Sequence, residues 1–187
     1  MGISMNDTIT MPTSELLLGT NETLFPQVLL ETAAQVLAAA RARGVRIAAA
    51  ETVTSGLVSA CLTSVSGASE IFERGYVLYH SSAKATGLGV PESVSATHGA
   101  VSAEVTRGLA LGLFDHAQAG AVVAITGYAG PGGGNDRDPV GTIYIAAALR
   151  GKEPAERRFV FPGSRDNVRL AAVRAALALL NEQLAAA

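Results

Sequence analysis

The sequence predicts a single three-layer α/β/α domain around a central, mostly parallel or mixed sheet. Three observations carry this class. Short apolar runs alternate with stretches of helical period along most of the chain. A length of 187 residues suits one domain. Apolar residues make up 49 % and charged residues 16 %, enough to bury a core and too few charges for a disordered polyelectrolyte.

Each element has its own signal. Residues 25–43 place Leu29, Ala33, Val36, Leu37 and Ala40 on one helical face, and Gly44 can end that helix. Residues 45–50 form a short apolar run suited to a buried strand. A polar turn at 52–56 leads into a helix over 57–65, which Gly67 and Ala68 break. Residues 76–80 read as a strand, followed by a polar segment with Lys84 that can open a helical turn. A turn-rich connection with room for a short helix spans 91–99. Ser102 is a good N-cap, with Glu104 in the first turn of a helix reaching about Phe114. A second buried strand spans 121–126 and runs into a glycine-rich loop at 127–134. Strands are expected at 142–149 and 158–161. Ser164 then caps a last helix with Asp166 in its first turn and an inward stripe of Val168, Ala171, Ala172, Ala175 and Leu179. The domain is expected over 25–187. Residues 1–24 lack periodicity and read as a flexible N-terminal tail, loose or docked on a partner subunit.

Charge and cysteine content exclude several functions. Fourteen Lys and Arg oppose 16 Asp and Glu, a net charge of −2, so the basic excess of a non-specific nucleic-acid binder is missing. No unbroken apolar stretch reaches membrane-spanning length, and no signal peptide is read. A single cysteine, Cys61, cannot form an internal disulfide, which fits a reducing cytoplasm. Beside Leu62 and Ala60 it reads as core filler.

In open α/β sheets, sites lie beyond the carboxyl ends of strands. Two such turns are rich in hydroxyls and glycines: 51–56, and Thr126 with its glycine loop. The first enters a helix N-terminus, whose free N–H groups favour an anion or an oxyanion. The second offers unobstructed backbone donors. It matches neither a P-loop nor a dinucleotide fingerprint. A hydroxyl nucleophile needs a base. His80, His98 and His116 follow no Gly-x-Ser-x-Gly elbow and lack zinc-helix spacing. Lysine is the other available base, because burial weakens its hold on the proton. Lys84 lies just beyond Tyr79, though on composition alone it reads as a surface charge.

Four stretches then carry a resemblance: residues 50–56, residues 77–84, residues 98–102, and residues 126–134 with Pro139-Val140-Gly141 behind them. The turn at 161–165 adds to it. Over about Phe25 to Leu184 the sequence resembles the CinA C-terminal domain family, whose stand-alone members act as nicotinamide-nucleotide amidases. The resemblance implies a hydrolase that removes ammonia from nicotinamide mononucleotide and leaves nicotinate mononucleotide. It implies a hydroxyl nucleophile at Thr52, a base at Lys84, and catalytic partners at Tyr79 and Thr126. Thr54, Ser55, Gly56, Gly132 and Gly133 are the expected substrate-binding positions, and Arg165 and the glycine loop are candidates for the phosphate. It implies no metal, no cofactor, a small-molecule amide as partner and a homo-oligomer.

The reactive stretches depart from the family pattern. Thr52 stands where the motif has Ser, Ser55 replaces a glycine, Ser81 replaces Asn after His80, and Tyr128 replaces an Ile. Threonine keeps the hydroxyl and adds a β-methyl group that restricts χ1. The expected chemistry has neutral Lys84 deprotonating Thr52, Tyr79 or Thr126 relaying the proton to ammonia, and the N–H groups of Ser55 and Gly56 holding the oxyanion. Glu51 is expected to organise the turn. Three readings follow: an amidase on nicotinamide mononucleotide, an amidase with a changed pocket for another small heteroaromatic or cyclic amide, and a non-catalytic relative. Retention of Lys84 speaks against the last.

Overall fold

A computed structural model describes residues 23–186. The tail expected over 1–24 lies almost wholly outside the described residues. The chain runs α1 (Gln27–Ala42), β1 (Ile47–Glu51), α2 (Leu57–Thr63), a 3₁₀ turn (Ala68–Glu70), β2 (Phe72–Val77), α3 (Ala83–Leu88), α4 (Glu92–His98), α5 (Ala103–His116), β3 (Ala121–Gly127), β4 (Thr142–Leu149), β5 (Ala155–Val160) and α6 (Arg165–Ala185). The five strands lie in the order β2-β1-β3-β4-β5. β1 pairs in parallel with both β2 and β3, while β4 and β5 continue the sheet antiparallel. The mixed sheet has helices on both faces, as the sequence predicts.

Strand alternation sorts the side chains. Ile47 and Ala49 of β1, Val123 and Ile125 of β3, and Ile143 and Ile145 of β4 face α1, α2 and α6. Ala48 and Ala50, Val122 and Ala124, and Ala146 and Ala148 face the other side, under α5 and α3. The central strands are almost wholly buried and carry many alanines, which lets helices approach closely on both faces. The caps act as expected: Ser102 accepts from the Val105 N–H at 3.2 Å, and Ser164 forms a capping box with Asn167.

The two edge strands correct the sequence reading. β2 occupies 72–77 rather than 76–80, so Tyr79 and His80 lie in the loop after it. β5 begins at Ala155 rather than Arg158. Both edges are half-exposed and carry Glu and Arg, so no continuous apolar run marks them. In α6, Val173, Ala176, Leu177, Leu180 and Leu184 complete the buried stripe, while Ala171 and Ala175 stand at its half-buried margin. Among the described residues, no helix is long and apolar enough to cross a membrane.

Candidate active site

A cleft of ≈ 320 Å³ opens beyond the carboxyl ends of β1 and β3. Thr52, Val53, Tyr79, Ser81, Lys84 and Arg165 border it, together with Ala100, Val101 and the loop residues Gly127–Gly130 and Gly132. Register explains why these positions meet. Glu51 pairs with Ile125 at the end of the parallel β1–β3 ladder, and Thr52 and Thr126 are the residues that follow each of them. The Thr52 N–H extends the ladder by donating to the Ile125 carbonyl at 3.2 Å. The Thr52 hydroxyl donates to the same carbonyl at 3.0 Å.

Glu51, one residue earlier, points to the opposite face. It is fully buried, and its carboxylate accepts from the N–H groups of Gly56 (2.9 Å), Val58 (3.0 Å) and Ser59 (2.9 Å), and from the Ser59 hydroxyl at 2.6 Å. It thus caps α2 from within the chain. This corrects two expectations. The α2 N-terminus is already occupied by a carboxylate, so it is not an anion site for a ligand. The N–H of Gly56 goes to Glu51 and that of Ser55 to the Thr52 carbonyl at 3.2 Å, so neither is free for an oxyanion. Thr54, Ser55 and Gly56 do not border the cleft. Ser55 (φ 48°) and Gly56 (φ 94°) shape the turn through left-handed backbone instead. Arg169 of α6 fixes the turn from outside, donating to the carbonyls of Val53 and Thr54, each at 3.1 Å. The Val53 and Thr54 N–H groups have no protein acceptor among the described residues.

Lys84 sits on α3, directly after the 78–82 loop. It is 4 % exposed and borders the cleft. Among the described residues, no carboxylate forms an ion pair with it or with Arg165. Burial lowers its pKa below the ordinary 10.5, since the charged form loses its hydration with no anion to offset the loss. Tyr79 is 62 % exposed at the rim, and its oxygen accepts from Arg165 Nη2 at 2.9 Å. Arg165 Nη1 donates to the Gly130 carbonyl at 2.8 Å. The first turn of α6 therefore ties the tyrosine to the glycine loop.

Thr126 is buried against α5, its hydroxyl 2.8 Å from that of Thr106. It does not border the cleft directly. Gly132 does; Gly133 instead lies behind Tyr128, where a Cβ would sit 3.3 Å from the ring. The three histidines serve locally. His80 bonds the Ser82 hydroxyl, His98 faces Glu104, and His116 bonds the Gly112 carbonyl. Cys61 is core filler, its thiol pushed up to about 11 by burial. Among the described residues, no group of three or more His, Cys, Asp or Glu could hold a metal ion. Sequence reasoning missed Arg169 and Thr106. Their signals were an arginine one turn after Arg165, and a threonine one turn after the Ser102 cap on a buried helix face.

The fold and the cleft define a family. The CinA C-terminal domain model matches residues 30–184, and the chain belongs to that family. It is 43 % identical over 155 residues to the nicotinamide-nucleotide amidohydrolase PncC of Escherichia coli K12, covering 83 % of this chain and 94 % of PncC. A CinA-like protein of Myxococcus xanthus is 43 % identical over 155 residues, but the match spans 37 % of that longer protein. Among solved structures, the competence/damage inducible protein CihA of Agrobacterium tumefaciens superposes with a TM-score of 0.84 at 34 % identity, covering 87 % of this chain and 99 % of that one. The competence damage-inducible protein A of Klebsiella pneumoniae gives 0.81 at 36 %, covering 84 % and 98 %.

Proposed function

We propose that the protein is a nicotinamide-nucleotide amidohydrolase, a hydrolase of carbon–nitrogen bonds that converts nicotinamide mononucleotide to nicotinate mononucleotide and ammonia. One observation carries the chemistry: a buried lysine with no anionic partner among the described residues borders the same cleft as a hydroxyl on a fixed turn. The likeness to PncC over nearly its whole length supports the substrate.

Thr52 Oγ1 turns its hydrogen from the Ile125 carbonyl, where it rests, toward neutral Lys84, which takes the proton as the oxygen attacks the carboxamide carbon. The Val53 N–H, with no acceptor among the described residues and next to the nucleophile, holds the oxyanion. Collapse breaks the carbon–nitrogen bond, and the proton held by Lys84 leaves with ammonia. Tyr79 keeps its hydroxyl hydrogen, because its oxygen accepts from Arg165, and serves as the relay to the leaving nitrogen. Water, deprotonated by Lys84, then cleaves the acyl–threonine ester and restores the hydroxyl. Arg165, with no carboxylate paired to it among the described residues, takes the substrate phosphate.

Ammonia release from nicotinamide mononucleotide, nicotinamide riboside and nicotinamide tests this reading. Release is expected from the nucleotide. Thr52→Ala and Lys84→Ala abolish it, while Thr52→Ser retains it. Release only from another amide, or full activity in Thr52→Ala, would overturn it.

A further inference from the structure

Lys84 and Arg165 border the cleft, and among the described residues no Asp or Glu does. The substrate proposed above brings charges of both signs. Its phosphate suits Arg165, but its pyridinium ring is positive and meets no carboxylate there. A cation without an anion can rest instead on the electron-rich face of an aromatic ring. Two aromatic residues border the cleft, Tyr79 and Tyr128. Tyr79 stands exposed at the rim, its oxygen bound to Arg165. Tyr128 lies deeper, on the glycine loop, and is half-buried.

The fold holds Tyr128 firmly. Its N–H donates to the Thr142 carbonyl at 2.8 Å, and its carbonyl accepts from the Gly141 N–H at 2.7 Å, which carries the β3–β4 pairing one residue past Gly127. The loop then returns to the ring at Gly133 (φ 87°), where a Cβ would stand 3.3 Å from Cδ1 and 3.9 Å from Cε1. A larger residue at 133 would press the ring from its seat, so the glycine lets the loop back it closely. Arg165 donates to the Gly130 carbonyl on the same loop, which sets the phosphate ligand and the ring on one rigid element. We propose that Tyr128 is a specificity-determining residue: its ring face carries the pyridinium of the substrate and favours a positively charged nucleotide over a neutral one of the same shape. The inference rests on the amidohydrolase reading above. It divides the substrate among the cleft residues, with Tyr128 on the ring, Arg165 on the phosphate, and Thr52 and Lys84 at the carboxamide.

The test uses the full chain with nicotinamide mononucleotide and with the phosphate ester of benzamide riboside, in which a neutral phenyl ring replaces the pyridinium. The KM of the nucleotide and the inhibition constant of the neutral analogue against it are measured. Tyr128→Leu keeps an apolar side chain and removes the π face. It is expected to weaken the nucleotide about fivefold more than the neutral analogue, the worth of one cation–π contact. Tyr128→Phe keeps the face and restores the preference. Equal weakening of both ligands in Tyr128→Leu would reduce the ring to filler and overturn the inference. So would no change in either, or a loss of preference in Tyr128→Phe as large as in Tyr128→Leu. Wild-type protein that releases no ammonia from the nucleotide would instead overturn the amidohydrolase reading, and this inference with it.

Discussion

Glu51 and Thr52 are neighbours in the chain and serve opposite faces of the sheet. The face under α1, α2 and α6 is apolar along the central strands, and Glu51 at its rim is consumed in capping α2. The face under α5 and α3 is apolar only at its base. Toward the carboxyl ends of β1 and β3 it carries Thr52, Lys84, Thr106, Thr126 and, from the start of β4, Thr142, all buried. On one side a buried charge is satisfied by four hydrogen bonds and contributes stability. On the other, a buried amine has no anionic partner among the described residues, and burial lowers its pKa. Burial of a polar group thus serves structure or chemistry according to whether the fold gives it partners.

The sharpest way to break this contrast is Lys84→Met. Activity should fall at least about 10³-fold, from loss of the base. Stability should move the other way. Because burial lowers the folded-state pKa, the unfolded chain binds the extra proton between that lowered value and 10.5. Wild-type stability therefore rises with pH across this window and carries the full penalty below it. Urea titrations at several pH values should show Lys84→Met more stable than wild type at pH 7, with the alkaline rise flattened. Equal stability at all pH values would mean that the amine is not strained by burial. Wild-type activity should likewise rise with pH as Lys84 loses its proton, below the range of an ordinary lysine.

Leu177→Ala probes the opposite face, where the side chain is fully buried. Chemical denaturation should show a loss of about 3 kcal/mol, with kcat unchanged under native conditions. Glu51→Gln should cost about 2 kcal/mol, since an amide NH₂ then confronts backbone donors. Its kcat should stay within about tenfold of wild type, and a complete loss of turnover by folded protein would put Glu51 on the chemical side of the contrast. The smallest effect belongs to Thr142, whose buried hydroxyl has no partner among the described residues. Thr142→Val should stabilise the protein by up to about 1 kcal/mol and leave ammonia release unchanged. Impaired release would show that this hydroxyl meets the substrate.

Local rules were enough for much of the fold. The β1, β3 and β4 runs are buried on both faces and leave a continuous apolar signal. Ser102 and Ser164 announce their helices because capping involves residues only three apart. The edge strands were legible only in part, since one side of each meets water. Of the site, the sequence marked both turns and singled out Thr52 and Lys84 through the family motifs.

Which groups remain available for chemistry was decided by the tertiary structure. The α2 N–H groups looked free until Glu51 folded under them. Thr126 looked like part of the cleft until the fold buried its hydroxyl against Thr106 on α5. Arg165 and Arg169 reach the cleft and its turn from a helix more than a hundred residues beyond Thr52. A sequence specifies hydrogen-bonding capacity residue by residue. Its spending depends on distances across the sheet and between layers, which no local pattern encodes.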